Sequence, residues 1–433
     1  MELVAQIRDY YHNFKDVESL DLNIAYFVSL FTKKKQNVSV DLVMNDGINN
    51  SCIIPLPIAT KLDLEHITIQ DYELLKNEVS KKLKKFSLCI CKMQAGLGTS
   101  VVRDDLLAKY TKRSKLGSKG TDLFIKYHEE ILSIAEVQLL QAESVSEKEL
   151  FKFIAFQNLI NEETKDAVLE IWEKRHYLKK QNYKEIFSSE KLKHYPEIFQ
   201  LLMPTIAQSG EVSFDRMAPA GHGYIGFSEI VNIYTASEPS EELLIIGNGE
   251  DLRSTPDSKI FSWIVDQEIP IVMMTTTKLE QDKKGGQLVI VNEAKPYITI
   301  VEKAQAQKAN QVKLFEQLGL RPSDKRSLFN TNIVIINKYA LKKLFMKHLD
   351  VSAFDFQNIL SPDLIENKKE QDGSVFTQLE GALGSSILNL DKFFRQNFDQ
   401  PLVNFLNLAP QNRAKFFLPI KTRGDFDEIY WKK

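Results

Sequence analysis

The chain has 433 residues, 43% hydrophobic and 10% aromatic, enough to build a sizeable core and too long for one small domain. Its 56 Lys+Arg against 58 Asp+Glu leave a net charge of -2, so no global basic field points to nucleic acid as the main partner. The 3 cysteines, Cys52, Cys89 and Cys91, form no disulfide framework, which suits a reducing compartment.

Met1 to about Lys85 reads as mainly helical, with Ile7, Tyr10, Tyr11 and Phe14, then Tyr26, Leu30 and Phe31, at helical spacing. Met1–Arg8 lacks the basic and apolar regions of a secretory signal, and no apolar run is long enough to span a bilayer. Lys33-Lys34-Lys35 closes one helix at its carbonyl end, as the macrodipole favours. Pro55 and Pro57 mark an extended passage, and Asp71–Lys85 reads as another helix with a solvated lysine-rich last turn.

Phe86-Ser-Leu-Cys-Ile-Cys91 is a short apolar run expected to be a buried strand. It runs into Lys92-Met-Gln-Ala-Gly-Leu-Gly-Thr-Ser100, where Gly96 and Gly98 let backbone approach a ligand closely. No Walker A lysine follows, and Val101 stands where a dinucleotide fingerprint needs its third glycine. These residues alone fit a phosphate-cradling turn and a plain strand-to-loop turn equally well.

Basic residues crowd Arg103–Lys126, helical periodicity returns over Tyr127–Glu143, and Phe151–Phe156 and Glu162–Trp172 read as strand and helix. Lys179–Pro204 is polar and aromatic, suited to a long lid. Pro219–Gly226 packs three glycines and His222 into a turn, and Glu242–Asp251 is a strand with an acidic pair just past its carboxyl end. Ile269–Met274 and Gln287–Val291 read as strands joined by a hairpin turn at Lys283–Gly286, and Ser327–Ile336 as a further strand.

In this order the motifs resemble the UDP-sugar pyrophosphorylase family, most closely the UTP–glucose-1-phosphate uridylyltransferases. The glycine turn is similar to Lys-Leu-Asn-Gly-Gly-Leu-Gly-Thr-Ser, and Gly221-His-Gly223 to the family's Pro-Gly-His-Gly. Gly247-Asn-Gly-Glu-Asp-Leu252 lies where the family has Ser-Asn-x-Asp-Asn-Leu. Asp282–Gly286, Glu302–Gln305, Phe329–Asn332, Gln378–Glu380 with Ala382 and Gly384, and Phe417–Thr422 complete the series.

The resemblance implies an α/β fold: a Rossmann-like nucleotidyltransferase core with a mixed central sheet over 86–345. A helical segment over 1–85 precedes it, 346–433 completes the core, and no C-terminal β-helix domain is expected. It implies transfer of a uridylyl group from UTP to a sugar 1-phosphate, with Mg²⁺. Lys119 and Lys421 would be the catalytic lysines, and Ala95, Gly96, Gly98, Thr99, Gln200, Gly221 and Asn248 would hold the nucleotide. His222, Gly286, Glu302, Asn330 and Asn332 would line the sugar phosphate, and Glu250 or Asp251 would hold the metal. Glu250 stands where the family has aspartate, and Val101-Val102 replaces its Met-Gly.

UTP and a sugar 1-phosphate are the implied partners, with no nucleic acid and no membrane, and a monomer or a partner-dependent assembly. A cytoplasmic site of action is expected, with export by a route that needs no N-terminal signal still compatible. The altered loop and Glu250 also fit a diverged UTP-binding or UTP-hydrolysing effector controlled by a protein partner.

Overall fold

A computed structural model describes residues 2–36, 53–55, 69–95, 124–127, 130–133, 145, 149–166, 168, 176–177, 181–182, 191–251, 253–279, 282, 285–291, 295–301, 306–307, 310–317, 328–371 and 373–419. Helices α1 (Glu2–Tyr10) and α2 (Val17–Lys35) open the chain. Asp16 caps α2 by accepting the Ser19 N–H at 3.0 Å, and Lys33–Lys35 sit in its last turn. Its buried face carries Leu20, Ile24, Phe27 and Leu30, with polar Asn23 among them.

Strands β1 (Ile53–Pro55) and β2 (Ile69–Asp71) follow. The helix expected over 71–85 is instead two short 3₁₀ turns, Tyr72–Leu74 and Lys81–Lys85. Tertiary anchors override the helical pattern here: Tyr72 donates to Asp257 at 2.6 Å, and Ser80 donates to Asp266 at 2.6 Å. After β3 (Ser87–Met93), β4 (Phe124–Tyr127) and β5 (Glu130–Ser133) pair antiparallel, where a helix over 127–143 was expected. Short apolar runs suit either period, and here cross-strand pairing decides.

Strand β6 is Ile154–Ile160, and β7 (His176–Tyr177) pairs with β8 (Gln181–Asn182). β9 (Leu192–His194) and β10 (Ile198–Phe199) both run parallel to β6, so this part of the expected lid is sheet. The Glu197 carboxylate accepts the Asn158 N–H at 2.7 Å and pins the segment to β6. The chain then forms β11 (Leu202–Ala207), β12 (Val212–Pro219), α3 (Gly223–Thr235), β13 (Glu242–Asn248), α4 (Ser258–Asp266) and β14 (Ile271–Thr277). Next come β15 (Gln287–Val291), β16 (Tyr297–Val301), α5 (Val312–Gln317), β17 (Leu328–Asn337), α6 (Lys338–His348) and α7 (Ala353–Leu360). β18 (Leu364–Gln371), β19 (Ser374–Gly381), α8 (Leu383–Phe398), β20 (Val403–Leu408) and α9 (Pro410–Phe416) end the described chain.

The architecture is mixed α/β. A 12-stranded sheet runs β10-β6-β3-β13-β17-β14-β20-β2, with β9 beside β6 and β15 linking β1, β16 and β17. β3 lies parallel to β6 and β13, whereas β17 is antiparallel to β13, β14 and β15. Along β3 and β13 alternate residues face opposite layers: Cys89, Cys91, Leu244 and Ile246 one way, Leu88, Ile90, Leu243 and Ile245 the other. Both faces are covered, which explains the continuous apolar runs. Cys89 and Cys91 are buried free thiols.

A separate 4-stranded antiparallel sheet, β12-β11-β19-β18, has α2 packed against it. β14 and β15 do not pair with each other, so the hairpin expected at 283–286 is absent: both strands pair with β17. Among the described residues no helix is long and apolar enough to cross a membrane.

Candidate functional site

The parallel strands β3 and β13 end side by side, with Lys92 opposite Gly247 and Met93 opposite Asn248. In open α/β sheets this carboxyl edge is where ligands bind. The glycine turn leaves β3 through Gln94 and Ala95, both buried. Asn161, fully buried at the end of β6, donates to the Ala95 carbonyl at 2.7 Å. Its Oδ1 accepts the Glu163 and Thr164 N–H groups at 3.0 and 2.9 Å, so the start of the turn is fixed by a rigid neighbour. A Cβ on Gly249 would lie 2.1 Å from Gln94 Oε1, so only glycine allows this contact between the two strand ends.

Gln200 adds a second wall. Its backbone N–H donates to Ile160 at 2.8 Å, and its Nε2 donates to the Gly221 carbonyl at 2.7 Å. Because a carbonyl can only accept, that bond sets which way round the amide sits, with Oε1 turned away from Gly221. Gly221 has φ +86°, and a Cβ there would meet Gly381 O at 2.5 Å. His222, beside it, accepts the Leu383 N–H on Nδ1 at 3.1 Å, from the first residue of α8. The neutral ring therefore carries its proton on Nε2.

A third group lies on β17, where the pairing with β14 shifts register between Met273 and Thr275. Asn332 adopts φ +60°, a conformation asparagine tolerates better than most residues. Asn330 Nδ2 donates to Asn332 Oδ1 at 2.8 Å, and the Asn332 N–H returns to Asn330 Oδ1 at 3.1 Å. The Asn330 N–H donates to Gly286 O at 3.1 Å, which joins Gly286 to the pair. A Cβ on Gly384 would lie 3.0 Å from Asn330 Nδ2 and 2.3 Å from Ile300, so α8 begins hard against these amides.

The start of α8 joins these groups, since Leu383 bonds His222 and Gly384 abuts Asn330. The sequence profile of UTP--glucose-1-phosphate uridylyltransferase matches residues 28–426. The chain belongs to this family. A relative in Encephalitozoon cuniculi, described as UTP--glucose-1-phosphate uridylyltransferase, is 31% identical over 231 residues, 52% of this chain and 39% of its own. One in Saccharomyces cerevisiae with the same description is 24% identical over 361 residues, 82% of this chain and 61% of its own. The chain thus spans under two thirds of the length of the curated relatives it matches.

A variant UDP-glucose pyrophosphorylase from Leishmania major, solved with UDP-glucose, superposes with a TM-score of 0.65 at 20% identity, covering 98% of this chain and 77% of that one. UDP-glucose phosphorylase from Trypanosoma brucei gives a TM-score of 0.61 at 17% identity, with 98% and 77% coverage. At those identities the likeness shows the fold that the family shares.

Of the family-type residues, Ala95, Gln200, Gly221, His222, Asn248, Glu250, Asp251, Gly286, Asn330 and Asn332 lie among the described residues. Gly96, Gly98, Thr99, Lys119, Glu302 and Lys421 lie outside them. Asn248 ends β13 and is buried, and Glu250, two residues on, is half-buried.

Glu250 and Asp251, which the sequence left level as metal ligands, differ sharply in setting. Asp251 is fully buried, and its Oδ1 accepts the Arg253 and Leu418 N–H groups, each at 3.0 Å. It bridges to Pro419 and so ties the strand end to the segment that leads to Lys421. Burial raises its carboxyl above the usual range, against the pull of Lys92 and the two backbone donors. Among the described residues no three His, Cys, Asp or Glu side chains converge as a metal cluster.

Several site residues escaped the sequence reading. Lys92, 1% exposed, reaches under the loop to donate to Ser254 Oγ and, at 3.4 Å, to Asp251 O. Burial lowers its pKa to about 8, with the Asp251 charge opposing the shift. Arg413 on α9 grips Asp282 through two bonds of 2.7 and 2.6 Å and donates to Thr277 O at 3.1 Å. Both side chains are nearly buried, and the pair anchors the loop that leads to Gly286. A lysine directly after an apolar run was a usable signal for Lys92. Nothing local marks Arg413 or Asn161.

Proposed function

We propose that the chain is a UTP-dependent sugar-1-phosphate uridylyltransferase that makes UDP-sugar, with UDP-glucose first, and pyrophosphate. The reading is supported above all by one observation: Gln200 donates to the Gly221 carbonyl and the adjacent His222 accepts from the start of α8, within a chain that matches the family over residues 28–426. An oxygen of the sugar 1-phosphate attacks the α-phosphorus of UTP in line. The bond from that phosphorus to the bridging oxygen breaks, and pyrophosphate carries the electron pair away. Such a reaction asks for positioning and charge neutralisation rather than a covalent intermediate.

In this reading Gln200 meets the uracil edge with Oε1, which suits the ring N–H. Ala95, Gly96, Gly98 and Thr99 follow the nucleotide, and Asn248 borders its ribose. His222 offers Nε2–H to a phosphate oxygen. Gly286, Glu302, Asn330 and Asn332 meet the sugar hydroxyls, while Lys119 and Lys421 stabilise charge on the reacting phosphates. Paired amides fixed by each other suit a polyhydroxylated ligand once water leaves.

Glu250 suits Mg²⁺ better than Asp251, because Asp251 is fully buried with its Oδ1 already taken by two backbone N–H groups, while the half-buried Glu250 can supply the single carboxylate that Mg²⁺ needs beside phosphates. When bound, the ion supplies neutralisation of the triphosphate. The Rossmann-like description of the core, the helical N-terminal segment, a cytoplasmic site of action and a monomeric or partner-dependent state belong to the same proposal.

Pyrophosphate release from UTP and Mg²⁺, with and without a panel of sugar 1-phosphates, tests the reading. Release that depends on sugar phosphate and collapses in Lys421→Ala and Glu250→Gln is the expected result. Release without sugar would point instead to a UTP-hydrolysing protein, and none at all to partner control.

A further inference from the structure

The motif series begins at the glycine turn and assigns nothing to the first helices. Yet α2 carries Asn23, a polar side chain only 2% exposed, on a face otherwise apolar. Burying an amide is unfavourable unless its donors and acceptor are matched. Here they are matched by the two residues that flank Gln200. Asn23 Oδ1 accepts the Leu201 N–H at 2.9 Å, and Nδ2 donates to Phe199 O at 3.0 Å. The same Nδ2 lies 2.8 Å from both Ser19 O and Tyr224 Oη.

The carboxamide thus takes the place of a neighbouring strand, pairing with one C=O and one N–H on either side of a single residue. Across from it, the Gln200 N–H pairs with Ile160 O at 2.8 Å. The Gln200 backbone is therefore held from both sides, by β6 and by a side chain of α2. Tyr224 extends the link: it lies in the first turn of α3, two residues after His222. Gln200 Nε2 in turn donates to Gly221 O at 2.7 Å. Tyr26, one turn further along α2, closes over the same segment, since a Cβ on Gly223 would lie 2.5 Å from its hydroxyl.

We infer that Asn23 is a positioning residue for the base-reading amide, and that α2 is a structural part of the nucleotide site. The inference rests on the reading that Gln200 meets the uracil. Asparagine suits the task because it offers donor and acceptor on one planar group. Asn23→Asp keeps the acceptor for Leu201 but sets a carboxylate oxygen against the Phe199 carbonyl. That repulsion displaces the backbone at Gln200, and small misplacements of a reading group have large effects.

The test uses the full chain and calorimetric titration of UTP and CTP with Mg²⁺, alongside melting temperature. CTP differs from UTP only at the base edge, so the ratio of the two affinities reports base reading. In Asn23→Asp the preference for UTP is expected to fall about ten-fold, the scale of one lost buried hydrogen bond. A merely structural role would weaken both nucleotides alike and leave the ratio unchanged, which overturns the inference. Gln200→Ala separates the two levels. If it leaves the UTP preference intact, the reading of Gln200 fails. If it abolishes the preference while folded Asn23→Asp retains it, only the role of Asn23 fails. Should Asn23→Asp not fold, Asn23→Ser, which removes both the Oδ1 acceptor for Leu201 and the Nδ2 donor to Phe199 without adding charge, is judged by the same ratio.

Discussion

Lys92 holds a positive charge inside the molecule, directly beneath the loop that carries Glu250 and Asp251. Its folded pKa of about 8 lies below the usual lysine value because burial penalises the ammonium more than nearby acidic groups stabilise it. A depressed lysine pKa means that the unfolded chain binds the proton more tightly between that value and the unfolded one. Stability linked to Lys92 therefore rises with pH across the window from about 8 to about 10.5. Lys92→Met removes the linkage, so denaturant midpoints of wild type and variant should move apart in favour of wild type through that window. The expected scale is about 1.4 kcal/mol for each unit of separation between the two pKa values. Parallel curves would show that burial leaves the Lys92 pKa where it stands in the unfolded chain. At this scale the sequence was informative where a motif marks the residue, as at Gly221 and His222. It was silent at Asn23, whose meaning lies in backbone groups of distant residues.

The loop between β14 and β15 shows how elements share the work. It was expected to turn a hairpin, yet its ends serve two different partners of β17. Its described residues are held from outside: Arg413 holds Asp282, Lys278 donates to Gly285 O at 3.1 Å, and Gly285 at φ +107° lies against Phe329. Arg413→Ala leaves the Asp282 carboxylate buried without its two guanidinium bonds, and breaking such pairs costs about 3–5 kcal/mol. A fall in melting temperature is expected, with KM for the sugar 1-phosphate raised more than KM for UTP, because the loop leads to Gly286 and Asn330. An equal rise in both would deny the loop a place on the sugar side. Helix expectations failed over 71–85 and over the described residues of 127–143 for a related reason: apolar spacing in short runs fits several periods. Anchors such as Tyr72 to Asp257, and cross-strand pairing of β4 with β5, then choose among them.

Across the whole molecule, α2 bridges the two sheets: Asn23 donates to Phe199 O of β10 in the central sheet at 3.0 Å, and the helix packs on β18 and β19 of the smaller one. Tyr11 donates to Leu202 O at 2.6 Å at the start of β11, while Lys33 donates to Ser361 O and Pro362 O at 3.1 and 2.6 Å just before β18. Tyr26 and Phe27 pack with Tyr224 and Phe227 of α3 in the same core. Deleting residues 1–36 uncovers that aromatic core and removes Asn23 together. The truncated chain is expected to bind a hydrophobic dye and to lose UTP binding; a cooperative fold that still binds UTP would contradict this account. The sequence by itself determined the alternation of strand and helix, the buried character of β3, and the ordered series of motifs that marks the family. Those are local properties, set by side-chain pattern and by glycines whose backbone demands can be read one by one. Only the tertiary structure decided how different the settings of Glu250 and Asp251 are, how the 71–85 segment runs, which strand β14 and β15 share, and what fixes Gln200. Each depends on hydrogen bonds between residues far apart in the chain, and a buried polar group is placed by its partner rather than by its neighbours.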